Sequence, residues 1–163
     1  MGRDALQAAR FAAIEVVHAV STEPSAEDTK AAVEKFLAAS VDLVLFCGGD
    51  GTARDICAII GDTTPVLGIP AGVKMYSGVF AVTPARTAEI LLRYLSLEIG
   101  LARVEIVDLD EDKYRRDEWA VRLYMSAQTP FEPRLKALEC VEHRKHRGQI
   151  GAPITLCNLS LCE

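Results

Sequence analysis

Residues 41–47 (VDLVLFC) form a short, almost unbroken apolar run, and Gly48-Gly49-Asp50-Gly51-Thr52 follows with no spacer. No other feature constrains the fold as strongly. An apolar run of this length, bounded by turn residues, fits a strand buried on both faces, as in a parallel sheet. Thr52-Ala53-Arg54-Asp55 has the pattern of a capping box, which predicts a helix capped by Thr52, ending near Ile60 and stopped by Gly61. Residues 64–69 (TPVLGI) then read as the next parallel strand. The unit is one right-handed βαβ crossover, with both post-strand loops on the same edge of the sheet.

The flanking sequence extends this pattern. Phe11, Ile14 and Val17 recur at helical spacing and predict a helix over 4–20. A second helix is predicted over 25–39, opened by the capping box Ser25-Ala26-Glu27-Asp28, with Ala32, Phe36 and Ala39 on its inner face. Thr83-Pro84 marks the start of a third, running to about residue 97 with Leu91, Leu92 and Leu95 as its apolar stripe. The period then changes. Residues 103–109 and 119–125 read as two strands of a hairpin, with Val121, Leu123 and Met125 alternating against Arg122 and Tyr124. The expected organisation is an α/β domain over 1–100, the beginning of a β-rich domain over 101–135, and a tail over 136–163 in which only 154–156 suggests a strand.

The chemistry concentrates in two loops. A strand ending in glycines and feeding a helix presents unpaired amides at the positive end of a helix dipole, a natural phosphate site. Gly48, Gly49 and Gly51 let a phosphate approach the backbone, and Thr52 adds a hydroxyl. Asp50 can accept a proton from a substrate hydroxyl or hold a metal bound to phosphates. The structural alternative is a tight βα turn with a solvated aspartate, but carboxyl ends of strands are where open α/β sheets bind ligands. The second loop, residues 68–78, carries Gly72, Lys74, Tyr76 and Ser77. Lys74 can meet a phosphate as a point charge, Ser77 can hydrogen-bond it, and Tyr76 can stack on a base or ribose. Against these stand a surface lysine, a helix cap and a half-buried core ring.

Composition narrows the partners. A net charge of −5 in 163 residues gives no bulk attraction for nucleic acid or an anionic membrane surface. No apolar run reaches the ~20 residues needed to cross a bilayer. Five cysteines, an odd number, argue for a reducing cytoplasm rather than a disulfide framework. The spacings of Cys140, His143, His146, Cys157 and Cys162 meet none of the usual zinc patterns. The expected partners are nucleotide substrates, and the sequence leaves homo-oligomerisation open.

The turn GGDGT is shared by NAD kinases, diacylglycerol and sphingosine kinases and, in related form, phosphofructokinases. Paired with GIPAGVKMYSGVFAVTP, GGDGTARD resembles the ATP-NAD kinase-like family over roughly residues 41–134. The resemblance implies an α/β fold: a parallel, Rossmann-like, three-layer nucleotide-binding domain followed by an antiparallel β-rich domain. It further implies phosphoryl transfer from ATP or polyphosphate with Mg²⁺, and makes Asp50 the base acting on the ribose 2′-hydroxyl of NAD. Gly48, Gly49, Gly51, Thr52, Gly72, Lys74, Tyr76 and Ser77 would then hold the nucleotides. The loop Val73-Lys74-Met75-Tyr76-Ser77 departs from the NAD kinase pattern and lacks the Asn of the diacylglycerol kinases, which leaves the acceptor open. The alternatives are a lipid kinase, which shares the same turn, and a non-catalytic nucleotide-binding domain that has lost its partner segments. Relative to that family the chain is expected to lack a first strand and the later acceptor-holding segments, and so to be an incomplete catalyst alone.

Overall fold

The computed structural model describes residues 2–19, 25–72, 75–109, 113, 115–116, 120–132, 142–144 and 155–157. The elements are α1 (Gly2–Ala8), α2 (Ala26–Ala38), β1 (Val44–Gly48), α3 (Asp50–Ile60), β2 (Val66–Pro70), α4 (Pro84–Leu95), β3 (Leu101–Leu109), β4 (Val121–Pro130), β5 (Glu142–Arg144) and β6 (Thr155–Cys157). β1 and β2 lie side by side in parallel, Val44 opposite Val66 and Gly48 opposite Pro70, so both loops leave the same edge as expected. β6 joins the other side of β1, also parallel, giving the order β2-β1-β6. β3, β4 and β5 form a separate antiparallel sheet in the order β4-β3-β5.

Alternation along β1 builds a three-layer sandwich. Val44 and Phe46 point toward α2 and α3, where they join Val33, Phe36, Ala53, Ile56 and Ile60 in one core. Leu43 and Leu45 point the other way, against Leu67 of β2 and Ile90 and Tyr94 of α4. The hairpin adds Val104, Ile106 and Ala127 to the first core. Burying a side chain such as Phe46 or Ile56, both fully enclosed, stabilises the fold by about 1.5–3 kcal/mol each.

Local signals set several boundaries. Both halves of the Ser25–Asp28 capping box form, and Thr83 caps α4 through the amide of Arg86, with Pro84 in its first turn. Gly61 ends α3 with φ +57°. Three other helices stop at residues with left-handed backbone that no glycine announces: Arg10, Ser40 and Leu97. Each closure is locked by an amide bonding a carbonyl five residues back: Phe11 to Leu6, Val41 to Phe36 and Glu98 to Arg93. The first corrects the expected helix over 4–20, which ends at Ala8 with no buried residue. Phe11 and Val16 are exposed, and among the described residues of that segment only Val17 packs against the core. Ala39 of α2 and Leu92 of α4 also lie outside; the buried stripe of α4 is Thr87, Ile90 and Tyr94.

The β4 alternation is inverted by a bulge. Ile106 pairs with Met125 but Val107 pairs with Leu123, leaving Tyr124 as the extra residue. On the α3 side Val104, Ile106 and Asp108 then face Ala127, Met125 and Arg122. Val121 and Leu123, expected to be inward, are 42% and 56% exposed. In the tail, the expected strand at 154–156 is β6, one residue later. Cys140, His146 and Cys162 lie outside the described residues, as do Trp119 and the side chains of His143 and Cys157. Among the described residues no helix is long and apolar enough to cross a membrane.

Candidate functional site

β1 runs to Gly48, and α3 begins three residues earlier than its sequence suggests: Gly49 is the N-cap and Asp50 the first helical residue. Thr52 therefore sits inside the first turn and does not cap the helix, which has no side-chain cap at all. Its place is steric. A Cβ on Gly48 would lie 2.7 Å from Thr52 Oγ1 and 2.8 Å from its Cβ, so only glycine fits beneath Thr52. Gly49 is different. A Cβ there would meet nothing among the described residues within 4 Å, and its backbone, φ −115° and ψ −166°, is ordinary extended chain. The first intrahelical bond is Ala53 N to Gly49 O, 3.0 Å, which leaves the amides of Asp50, Gly51 and Thr52 without an intrahelical carbonyl. Those amides lie at the positive end of the α3 dipole.

Asp50 is 7% exposed, and both of its oxygens bind the second loop. Oδ2 accepts from Tyr76 N at 2.8 Å and Oδ1 from Ser77 N at 2.9 Å. Two consecutive amides thus cradle one carboxylate, 26 and 27 residues away in sequence. Ser77 does not offer its hydroxyl to the crevice as expected of a phosphate ligand. Its Oγ donates to Val107 O at 2.9 Å and accepts from Val107 N at 3.1 Å, which uses its single proton. Gly78 N bonds Glu105 O of the same strand, and a Cβ on Gly78 would collide with Val104 Cβ at 2.6 Å. Tyr76 is half-exposed. With Pro70, Met75, Phe80, Val82 and Pro84 it lines a cleft of about 380 Å³, which Gly72 also borders. Lys74 lies outside the described residues.

Four residues near the turn carry no local sequence signal. Arg54, one turn into α3, bonds Asp108 of β3 at 2.8 Å and stands 5.4 Å from the ring centroid of Tyr124. Arg122 lies 5.3 Å from the same centroid. Partial burial works against the Arg54 charge, but Asp108 and then Asp55 outweigh it and raise the guanidinium above its ordinary range. Asp108 Oδ2 also lies 3.7 Å from where a Gly51 Cβ would be, which brings a second carboxylate to the first turn of α3. No local pattern around Arg54 or Asp108 indicates this approach, because it comes from packing of the hairpin on the core that α3 lines.

A glycine-lined strand end, a helix N-terminus whose first amides have no intrahelical carbonyl, a carboxylate held between two loops and an apolar cleft beside them fit a nucleotide-binding domain, of the kinase-like class that the family comparison gives. The model of the ATP-NAD kinase N-terminal domain family matches residues 1–99, more than half of the chain, and the chain belongs to that family. The match takes in α1 and α2, ahead of the segment on which the resemblance rested, and stops before β3. No curated protein and no solved structure matches the chain.

Proposed function

We propose that the chain is a phosphotransferase of ATP-NAD kinase type, carrying a phosphoryl group from ATP or polyphosphate to the ribose 2′-hydroxyl of NAD. The observation that carries this reading is Gly49. Among the described residues nothing fills the space a side chain at Gly49 would take, and its backbone is one that any residue adopts; that open space lies at the N-terminus of α3, where a phosphate would approach. Family membership supports the same class of ligand.

In the proposed step the acceptor oxygen bonds to the terminal phosphorus of the donor as the bond from that phosphorus to its bridging oxygen breaks. ADP, or a shortened polyphosphate, leaves with the electron pair, and the hydroxyl proton passes to Asp50. The α3 amides bind phosphate oxygens, and Tyr76 offers a stacking face at the cleft. Magnesium carried by nucleotide phosphates needs one or two protein carboxylates, and Asp108, beside the first turn of α3, would supply one, with Asp50 kept as the base. Bound there, the ion would neutralise phosphate charge. We place this activity in the cytoplasm, consistent with the free thiol of Cys57.

Thermal melting with ATP, polyphosphate, NAD and NADP, together with a coupled assay for NADP, tests the reading. A ligand at about 100 times its dissociation constant adds about 2.7 kcal/mol, or roughly 5–10 °C for a chain of this size. No shift with any nucleotide would reduce the site to a structural turn. Phosphorylation of diacylglycerol in place of NAD would move the chain to the lipid-kinase branch.

A further inference from the structure

The carboxylate at the centre of the site is not oriented by its own helix alone. Asp50 is fixed by the amides of Tyr76 and Ser77, so its direction depends on what fixes that loop. The loop in turn is docked on β3, where the Ser77 hydroxyl occupies both backbone groups of Val107 and Gly78 N takes Glu105 O two residues back. Val107 is the residue at which the β3–β4 register shifts. The next residue, Asp108, returns to α3 through Arg54. A closed circuit therefore runs from α3 to the loop, to the hairpin and back to α3.

We infer that Ser77 is a positioning residue: through its hydroxyl, the β3–β4 hairpin sets the orientation of the Asp50 carboxylate at the phosphate turn. This deepens the proposed phosphotransferase reading and rests on it for its catalytic consequence, though not for the coupling itself. Ser77 is 3% exposed, so removing the hydroxyl strands two part-buried backbone groups of Val107 and releases the loop from the strand. The α3 amides are untouched by that change. Donor binding and carboxylate orientation should therefore separate.

The test has two arms, run on the full chain. In the first, amide hydrogen exchange is compared in wild type, Ser77→Ala, the near-isosteric Ser77→Cys, and Ser77→Thr, which keeps the hydroxyl. The amides of Tyr76 and Ser77 should exchange at least about tenfold faster in the alanine and cysteine variants. They should stay protected in Ser77→Thr, and the amides of β1 should not change in any variant. In the second arm, Ser77→Ala should keep KM for ATP within about threefold and lower kcat about 10- to 100-fold, as misplacement of a reacting group does. Ser77→Thr should recover most of that loss.

Unchanged exchange at Tyr76 and Ser77 in both Ser77→Ala and Ser77→Cys would overturn the coupling. So would faster exchange accompanied by wild-type kcat, since the carboxylate would then not depend on the loop. If wild type turns over no donor–acceptor pair, the phosphotransferase reading falls while the exchange arm still decides the coupling. If Ser77→Ala does not fold, Ser77→Cys decides it.

Discussion

Replacing Asp50 with asparagine tests the clamp between the two loops most directly. Asn is close to isosteric with Asp and well suited to turns, so from sequence the substitution looks like a clean removal of charge. The structure says otherwise. Both carboxylate oxygens accept backbone amides, at 2.8 and 2.9 Å, and Asn offers one oxygen and one NH₂. Whichever way its amide is turned, an N–H donor faces another donor at Tyr76 or at Ser77. One hydrogen bond to a charged acceptor, worth about 1.5–3 kcal/mol, is lost, and a buried amide is left unsatisfied. Loss of negative charge in the first turn of α3 removes about 0.3–1 kcal/mol more. Allowing for relaxation, Asp50→Asn should destabilise the chain by about 2–4 kcal/mol, which lowers Tm by roughly 6–12 °C. Thermal melting at neutral pH measures it, with Glu34→Gln on the exposed side of α2 as a control expected to stay within about 0.5 kcal/mol. An Asp50→Asn protein melting within about 1 °C of wild type would refute the clamp as a source of stability. It follows that a rate loss in Asp50→Asn does not by itself identify a general base, because it mixes chemistry with loop release.

The two adjacent glycines should behave in opposite ways. Gly48→Ala forces a methyl against Thr52 and should cost about 1–3 kcal/mol, whereas Gly49→Ala should melt close to wild type yet bind ATP at least about tenfold more weakly, because its Cβ enters the space a phosphate needs. Calorimetric titration of both variants checks this, and an unchanged affinity in Gly49→Ala would remove the main support for the proposed function. Burial pushes the Cys57 thiol up to about 12, while an unfolded thiol titrates near 8.5. Between those values the unfolded state holds fewer protons, so stability should be intact below about pH 8.5 and fall by up to about 1.4 kcal/mol per pH unit above it; denaturant titrations of wild type and Cys57→Ala over that range should differ in slope. Arg54→Met removes the pair with Asp108 and the contact with Tyr124; both partners are partly exposed, so a double-mutant cycle with Asp108→Asn should give a coupling of about 1 kcal/mol that weakens in 1 M salt.

What sequence alone determined is local. A run of apolar residues, two glycines and a capping pattern specify strand, turn, helix and strand because the hydrogen bonds and side-chain periods involved span only a few residues. The same holds for the Ser25–Asp28 box, the Thr83–Pro84 start and the Gly61 stop, each read at its correct position. Where locality fails, so does the reading. α1 ends at Ala8 because Arg10 adopts left-handed backbone, a conformation that composition associates with glycine. Thr52 was legible as a cap, but α3 begins at Asp50, and Thr52 is instead packed against Gly48. The inward and outward faces of β4 reverse at Tyr124 because pairing with β3 inserts a bulge, and nothing within β4 encodes its partner. The same distinction governs the site. Asp50 and Ser77 could each be picked out from the two loops, but that the first is held by the amide of the second, and the second by Val107, depends on contacts 27 and 30 residues apart. Arg54 and Asp108, 54 residues apart, meet because the hairpin packs its Val104 and Ile106 into the core that α3 lines; burial of those two side chains, and not any pattern around the arginine, brings the second carboxylate to the glycine turn.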